Sequence, residues 1–210
     1  MNENAPDSAA AAVKANATPT MSTREMAHRI NNTLAVVQSI INQTARMVSE
    51  PKDFARAVNL RIGAIAAANR ALLASEWDGA DLESLVRQEL LAQGADEARL
   101  HASGPRTALP ARSVTAFSLV IHELAANAIQ HGALSGERGD VDLAWSINQT
   151  ADAKHAPLLT FVWTERGGPP VAEPERKGFG SMLLARGVDD CRVTSRFEPT
   201  GLVCTIALPL

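Results

Sequence analysis

The feature that most constrains how this chain folds is a pair of consecutive amphipathic helix patterns. Apolar residues recur at helical spacing in the first pattern, at Met26, Ile30, Leu34, Val37, Ile41 and Val48, and in the second, at Phe54, Val58, Ile62, Ile65 and Leu72. Ser49-Glu50-Pro51 separates the two, and proline is favoured in the first turn of a helix. Two long helices joined by a short turn form an αα-hairpin, which cannot bury both apolar stripes by itself. We therefore expect residues 23–74 to dimerise into a four-helix bundle.

The remainder of the chain mixes shorter helices with strands. The stretch "DLESLVRQELLAQG" predicts a helix that Asp81 caps and Gly94 ends, and "PARSVTAFSLVIHELAANAIQHG" predicts a long helix opened by Pro110. Strand-like alternation appears in "DVDLAWSIN", "LLTFVWTE", "RVTSRFEP" and "LVCTIAL", the last two joined across Thr200-Gly201. A Gly/Pro-rich loop and a short helix, "SMLLARGV", come between these strand pairs. The order predicts an α+β fold with helices on one face of an antiparallel sheet.

Composition disfavours several classes of function. The 210 residues carry a formal net charge of −3, which gives no electrostatic support for nucleic-acid binding. No apolar run approaches the roughly 18–20 residues that a membrane-spanning helix needs. The two cysteines, Cys191 and Cys204, form no CxxC pattern, which favours reduced thiols and a cytoplasmic location. Residues 1–21 have few large apolar side chains and lack the features of a signal peptide, so we expect a disordered tail there.

The first helix pattern carries a histidine, His28, on the side roughly opposite its apolar stripe. A core position is therefore disfavoured, and an exposed histidine is by default a solvated residue without a role. A metal site would need a second ligand one turn further on, where Asn32 is a poor substitute for histidine or carboxylate. A nucleophilic role stays open, because Glu25 lies one turn away and could orient the ring or accept its proton. Both the bystander and the nucleophile fit this segment.

A second cluster lies in "HELAANAIQHG" on the long helix. Glu123 and Asn127 are four residues apart and share one edge of a helix whose other side is apolar. An amide and a carboxylate suit a hydrated Mg²⁺, which keeps several waters and takes few protein ligands. Glu123 could also polarise the attacking group in phosphoryl transfer. A polar surface stripe without function would look the same.

A third cluster follows a strand in "WTERGGPPVAEPERKGFGS". Glu165 lies at the end of the strand, and two turns that contain glycine come after it. Backbone amides near residues 178–181, at the start of a helix, could hold phosphates. A flexible surface loop is the alternative interpretation of this stretch.

In this order, the three segments resemble the transmitter of a bacterial histidine kinase of the HWE family. The stretch "EMAHRINNTLAVVQSI" is similar to the family's H-box, "HELAANAIQHGALS" to its N-box, and "WTE" with "GFGS" to its G-boxes. The features that distinguish the family correspond to His122 and to Trp163 followed by Glu165. The resemblance covers about residues 22–210, because "SEWDGADL" and "GLVCTIALPL" fit the family's linker and terminal strand.

The resemblance implies domains and residue roles. Residues 22–76 would form the phosphoacceptor hairpin, and residues 77–210 an ATP-binding α/β sandwich of the Bergerat type. His28 would accept the phosphoryl group, with Glu25 and Asn32 framing it and Glu123 as a catalytic neighbour of the reacting groups. The positions that would contact Mg-ATP are His122, Asn127 (through Mg²⁺), Trp163, Glu165 (at the adenine), Gly167 and, beside the phosphates, Gly178, Gly180 and Ser181.

The function that the resemblance implies is autophosphorylation of His28 from Mg-ATP, followed by transfer to an aspartate of a response regulator receiver domain. No sensory domain precedes the H-box in this sequence, so we expect a separate sensor protein to supply the signal. Gln130 replaces a lysine of the family, and "RGVDDCRVTSRF" stands where a glycine pair is usual. These departures leave open a histidine phosphotransferase that relays phosphate without ATP. A non-catalytic module that binds a response regulator is also open, although His28 with Glu25 and Asn32 argues against it.

Overall fold

The computed structural model describes residues 23–149, 156–171 and 191–210, and the side chains of the first helix from Ile30 onward. The chain divides into two compact units, one that ends at Asn42 and one that begins at Gln43. The predicted N-terminal tail, the short helix "SMLLARGV" and most of the Gly/Pro-rich loop lie outside the described residues. The domain boundary after residue 76 stays a prediction.

Two long helices begin the described chain, as the two amphipathic patterns predicted. Helix α1 spans Thr23–Met47 and helix α2 spans Pro51–Ala74. Pro51 takes the first helical position after an extended Glu50, where the N–H that proline lacks has no partner within the helix. After α2 the chain turns at Trp77, which has φ +70° and donates its backbone N–H to the Leu72 carbonyl at 2.7 Å.

The apolar stripes of these helices are only partly covered. Ile65 and Leu72 of α2 are buried, whereas Ile62 is 37% exposed, and Ile30 and Leu34 of α1 are more than half exposed. Exposed apolar side chains in a row are a common sign of an interaction surface. Dimerisation through residues 23–74 therefore stays a prediction.

Helix α3 (Leu82–Ala92) and helix α4 (Ala111–Gln130) begin and end close to where the sequence predicted. The Asp81 side chain accepts the Ser84 backbone N–H at 2.9 Å, and bonds to Ser84 hold the pKa of this carboxyl below its ordinary value. Gly94, with φ +91°, follows the end of α3, and Pro110 directly precedes α4. Asp81 also belongs to the short strand β1 (Ala80–Asp81), which later pairs with β3 (Ala108–Leu109) in a two-stranded sheet.

The main sheet has five described strands in the order β2-β4-β5-β7-β6. Their bounds are Leu100–Ser103 for β2, Asp140–Asn148 for β4, Leu158–Arg166 for β5, Arg192–Glu198 for β6 and Gly201–Pro209 for β7. All four strands that the alternation predicted are present, and β6 and β7 pair as the predicted hairpin. The predicted α+β class is confirmed.

One part of the predicted topology is wrong. The sequence predicted an antiparallel sheet, but β2 pairs with β4 in parallel, in register from Leu100 opposite Val141 to Ser103 opposite Ala144. The connection between these two strands contains α4, and a crossover through a helix returns the chain in the same direction. A four-residue strand is too short for its alternation to reveal this pairing.

The core lies between the sheet and α4. Side chains of β5 alternate inward at Leu159, Phe161, Trp163 and Glu165, all of which are buried. The Phe117 ring of α4 meets the Phe161 ring edge-on, with their centroids 5.4 Å apart. The inward face of β5 therefore places three apolar side chains in the core and a carboxylate at its end.

Two further features concern the cysteines and the apolar length of the helices. Cys191 and Cys204 are both free thiols, and burial raises the pKa of Cys191 to about 11. Among the helices that the structure describes, none is long and apolar enough to cross a bilayer.

Candidate functional site

Glu165 is the most unusual of the predicted site residues, because it is a carboxylate on the core face of a strand. Only 3% of the residue is exposed. Its Oε2 accepts the Ala133 backbone N–H at 2.9 Å, and its Oε1 accepts the indole N–H of Trp163 at 3.1 Å. Burial raises the pKa of this carboxyl above its ordinary value, and the two N–H bonds partly oppose that rise. Each oxygen thus has a fixed donor and still has capacity to accept from a ligand.

The loop that follows α4, residues 132–139, forms one wall beside Glu165. A Cβ on Gly132 would overlap Glu165 Oε2, so only glycine lets the backbone approach the carboxylate this closely. On the other side, a Cβ on Gly168 would overlap the backbone of Ala133. Gly167 has φ +70° and lies against Gly139, which itself has φ +117°. Glycines therefore allow two loops to pack backbone to backbone at the end of β5.

Trp163 has a supporting position in this site. Its side chain is completely buried, and its indole N–H donates to Glu165 two residues along the same strand face. The tryptophan and the glutamate of the "WTE" motif both face the core, because every second side chain of a strand points to the same face of the sheet. Trp163 therefore helps to orient the carboxylate, and a contact of Trp163 with ATP stays a prediction.

Glu123 has a different environment from the one that the sequence suggested. Both of its oxygens are bound by Arg61 of α2, with Nε to Oε1 at 2.7 Å and Nη2 to Oε2 at 2.9 Å. Arg61 Nη1 also donates to the Thr44 hydroxyl at 3.2 Å. The two charged side chains are largely buried, at 14% and 17% exposed. This fork-shaped pairing joins α2 to α4 and leaves Glu123 neutralised by a cation.

Asn127 lies one turn beyond Glu123 on α4, and its side chain is exposed. Its backbone carbonyl accepts the N–H groups of His131 and Gly132, which ends the helix at this point. An exposed amide beside the start of loop 132–139 fits a Mg²⁺ ion that keeps most of its waters. In the described part of the chain, no three side chains of the metal-ligating types lie together, so no all-protein metal cage is found there.

His122 is buried between α3 and α4. Its Nδ1 lies 2.6 Å from Oε1 of Glu89, and the Gln93 amide donates to the same carboxylate at 3.1 Å and to the His122 carbonyl at 3.0 Å. These contacts hold α4 against α3. A contact of His122 with ATP stays a prediction.

The remaining predicted residues are placed less completely. Gly178, Gly180 and Ser181 lie outside the described residues, as do the side chains of Glu25 and His28, whose backbone belongs to α1. Asn32 is exposed on α1. The structure therefore brings together Trp163, Glu165 and Gly167 with the loop that follows Asn127.

Sequence reasoning missed three residues that the structure connects to these side chains. Arg61 lies on the apolar side of α2, three residues after Val58 and four before Ile65, and a charge within an apolar stripe signals a buried partner. Glu89 gives the same signal on α3. Arg99, which binds loop 132–139, gives none, because it lies on a short turn.

A surface cavity of about 560 Å³ lies elsewhere, between the end of α2 and the start of α3. Its lining includes Ala71, Gly79, Ser84 and Arg106, and none of the predicted site residues. The cavity is thus separate from the cluster around Glu165.

Comparison with known proteins agrees with these features. The family described as "HWE histidine kinase" matches residues 25–106. Blue-light-activated histidine kinases of Brucella ovis and Brucella melitensis are each 34% identical over 201 residues, 94% of this chain. The resemblance to HWE histidine kinases is confirmed. The chain spans 40% of the length of these two relatives.

Solved histidine kinase structures share the fold. The Erythrobacter litoralis EL346 blue-light activated histidine kinase aligns with a TM-score of 0.62 at 14% identity, over 90% of this chain and 61% of that one. The histidine kinase domain of the same protein aligns with a TM-score of 0.51 at 16% identity, over 73% and 74% of the two chains. At these identities the likeness concerns the fold, and the HWE relationship rests on the sequence matches.

Proposed function

We propose that this chain is a histidine kinase that phosphorylates its own His28 from Mg-ATP and passes the phosphoryl group to an aspartate of a response regulator. The observation that carries the proposal is the buried Glu165 carboxylate, held by Ala133 and Trp163 beside the glycine-walled loop that follows Asn127. A carboxylate with a fixed donor on each oxygen can accept a hydrogen bond from the exocyclic amine of adenine without first rearranging. The resemblance of "WTE" to a G-box of the HWE family supports the same role for this position.

In the proposed reaction, an imidazole nitrogen of His28 attacks the γ-phosphorus of ATP as the bond from the γ-phosphorus to the β,γ-bridging oxygen breaks. ADP leaves with that oxygen, and the imidazole proton passes to Glu25 or to solvent. Mg²⁺, when bound at Asn127, would neutralise charge on the phosphates. Gly178, Gly180 and Ser181 are proposed to bind the phosphates through backbone and hydroxyl groups.

The roles of Glu123 and His122 belong to the same proposal. We assign Glu123 to the reacting groups, a role that would require its carboxylate to be released from the ion pair with Arg61. His122 is assigned to the nucleotide site through α4, which it anchors to Glu89 of α3. Both assignments depend on contacts between helices.

The proposed partners follow from the same chemistry. A receiver domain would accept the phosphoryl group, and a second copy of residues 23–74 would cover the exposed apolar stripes. We also propose a cytoplasmic location, where reduced cysteines and ATP are available.

The experiment that tests this function is incubation of the protein with γ-labelled ATP and Mg²⁺. We expect acid-labile label on the wild type, none on His28→Gln, and full label on His101→Gln. His101 is a matched control, because it is an exposed histidine on β2 whose only described ion pair is with Asp140 at 3.6 Å.

Other results would replace the proposal. Label that His28 accepts from a phosphorylated receiver domain but not from ATP would make the chain a histidine phosphotransferase. No label by either route, from a folded protein that binds a response regulator, would leave a non-catalytic binding module.

A further inference from the structure

Arg99 makes a set of contacts that neither the motifs nor the comparisons assign. It is the last residue of a single 3₁₀ turn, Glu97–Arg99, that leads into β2. Its guanidinium donates to three backbone carbonyls: Nε to Gly139 at 2.6 Å, Nη1 to Gly136 at 2.9 Å and Nη2 to Ala133 at 2.8 Å. All three carbonyls belong to loop 132–139, so one side chain binds the loop at both ends and in the middle.

The chemistry of these contacts requires arginine. A guanidinium presents its N–H donors in a rigid planar fork, whereas a lysine ammonium is a single point on a flexible stem. Charged donors also make shorter and stronger bonds to carbonyls than neutral donors do. The three bonds therefore connect both ends and the middle of the loop to one rigid group.

The same loop supplies a donor to Glu165. The Ala133 carbonyl binds Arg99, and the Ala133 N–H donates to Glu165 Oε2 at 2.9 Å. Gly139, at the other end of the loop, packs on the backbone of Arg166 and Gly167, directly after Glu165. Arg99 thus fixes both places where loop 132–139 meets the end of β5.

We propose that Arg99 is a positioning residue for nucleotide recognition, which acts by holding loop 132–139 so that Ala133 orients the Glu165 carboxylate toward the adenine base. The inference rests on the proposed function, in which Glu165 contacts adenine. Arg99 lies 66 positions before Glu165 in the chain and determines base selectivity without contacting the nucleotide.

The competing explanation is that Arg99 only stabilises loop 132–139 and has no role in nucleotide recognition. Base selectivity distinguishes these two explanations. If Arg99 orients Glu165, its loss weakens contacts to adenine and leaves contacts to the phosphates. The affinity for ATP then falls while the affinity for GTP, which lacks the exocyclic amine at that position, changes little. If Arg99 only stabilises the loop, its loss changes the affinities for ATP and GTP equally or changes neither.

The test is calorimetric titration of the full chain with Mg-ATP and with Mg-GTP. In Arg99→Lys and Arg99→Ala we expect ATP affinity to fall by about tenfold and GTP affinity to stay within about twofold of wild type. Arg87→Ala is the matched control, because Arg87 is an arginine on neighbouring α3 that pairs with Glu83 and Glu97 at the surface. Its nucleotide affinities should equal those of wild type.

Backbone hydrogen exchange gives a second readout on the same proteins. The Ala133 amide should exchange faster in both Arg99 variants than in wild type, since its bond to Glu165 is loosened. Equal losses for ATP and GTP, or unchanged ATP affinity in a folded Arg99→Lys, would overturn the inference. Wild type that does not prefer ATP over GTP would instead refute the proposed contact of Glu165 with adenine, independently of Arg99.

Discussion

Glu123 and Glu165 are both acidic side chains in motifs of the predicted nucleotide site, yet the fold gives them opposite surroundings. Glu123 lies on a helix, and a guanidinium from another helix binds both of its oxygens. Glu165 lies at the end of a strand, almost fully buried, and its two hydrogen-bond partners are neutral N–H groups. The charge of the Glu123 carboxylate is neutralised by a cation. The Glu165 carboxylate can still accept hydrogen bonds, and burial raises its pKa.

The different surroundings of Glu123 and Glu165 indicate different roles for the two carboxylates. A largely buried ion pair between helices mainly fixes their relative position, and removing one partner is costly. A buried carboxylate with neutral donors is a poor structural element, because apolar residues would fill the same space at less cost. Its presence at the end of β5 is therefore better explained by ligand binding than by stability, which sharpens the proposal for Glu165.

The largest effect should come from Glu165→Ala. This change leaves the Trp163 and Ala133 N–H groups buried without an acceptor, and we expect a loss of about 4 kcal/mol in the free energy of unfolding. Glu165→Gln keeps one acceptor and should lose less. Urea unfolding of both variants measures this, and equal stability of wild type and Glu165→Ala would show that the two donors find other partners.

A smaller effect is expected from Arg61→Met. The variant leaves the Glu123 carboxylate without its cationic partner between α2 and α4. Because the pair is partly exposed, we expect a loss of about 2 kcal/mol in the free energy of unfolding. Double-mutant analysis of Arg61→Met with Glu123→Gln isolates the pair, and we expect a coupling energy of about 1–2 kcal/mol. Additive effects of the two changes would contradict a direct link between the helices.

The smallest effect should be the pH dependence of stability. A carboxyl whose pKa is raised in the folded state binds more protons than in the unfolded state between its ordinary value of 4.5 and the raised value. Glu165 therefore makes stability fall as pH rises through that window. Chemical unfolding across pH should show this slope in wild type and a weaker slope in Glu165→Gln; an identical slope in both would place the pH dependence elsewhere.

Local features were predictable from the sequence because neighbours in the chain determine them. Pro51 predicted the start of α2, Asp81 the start of α3, and alternation predicted the four long strands, including the strand that carries Glu165. The order of the motifs predicted the family. These features need only helix capping, strand periodicity and turn chemistry.

The partners of the site residues were not predictable, because they are distant in the chain. Arg61 and Glu123 are 62 positions apart, Arg99 and Gly139 are 40 apart, and Glu89 and His122 are 33 apart. Such pairs depend on how helices pack on the sheet, as does the parallel pairing of β2 with β4. Only the charges of Arg61 and Glu89 within apolar stripes indicated that buried partners exist.

The central claim is that phosphate from ATP reaches His28 and that Glu165 is needed to bind that ATP. The direct measurement is to incubate wild type and Glu165→Gln with γ-labelled Mg-ATP, digest the proteins and locate the labelled residue. We expect acid-labile label on His28 of the wild type and strongly reduced label on the folded variant. Label on another residue, or equal label on His28 in both proteins, would contradict this account.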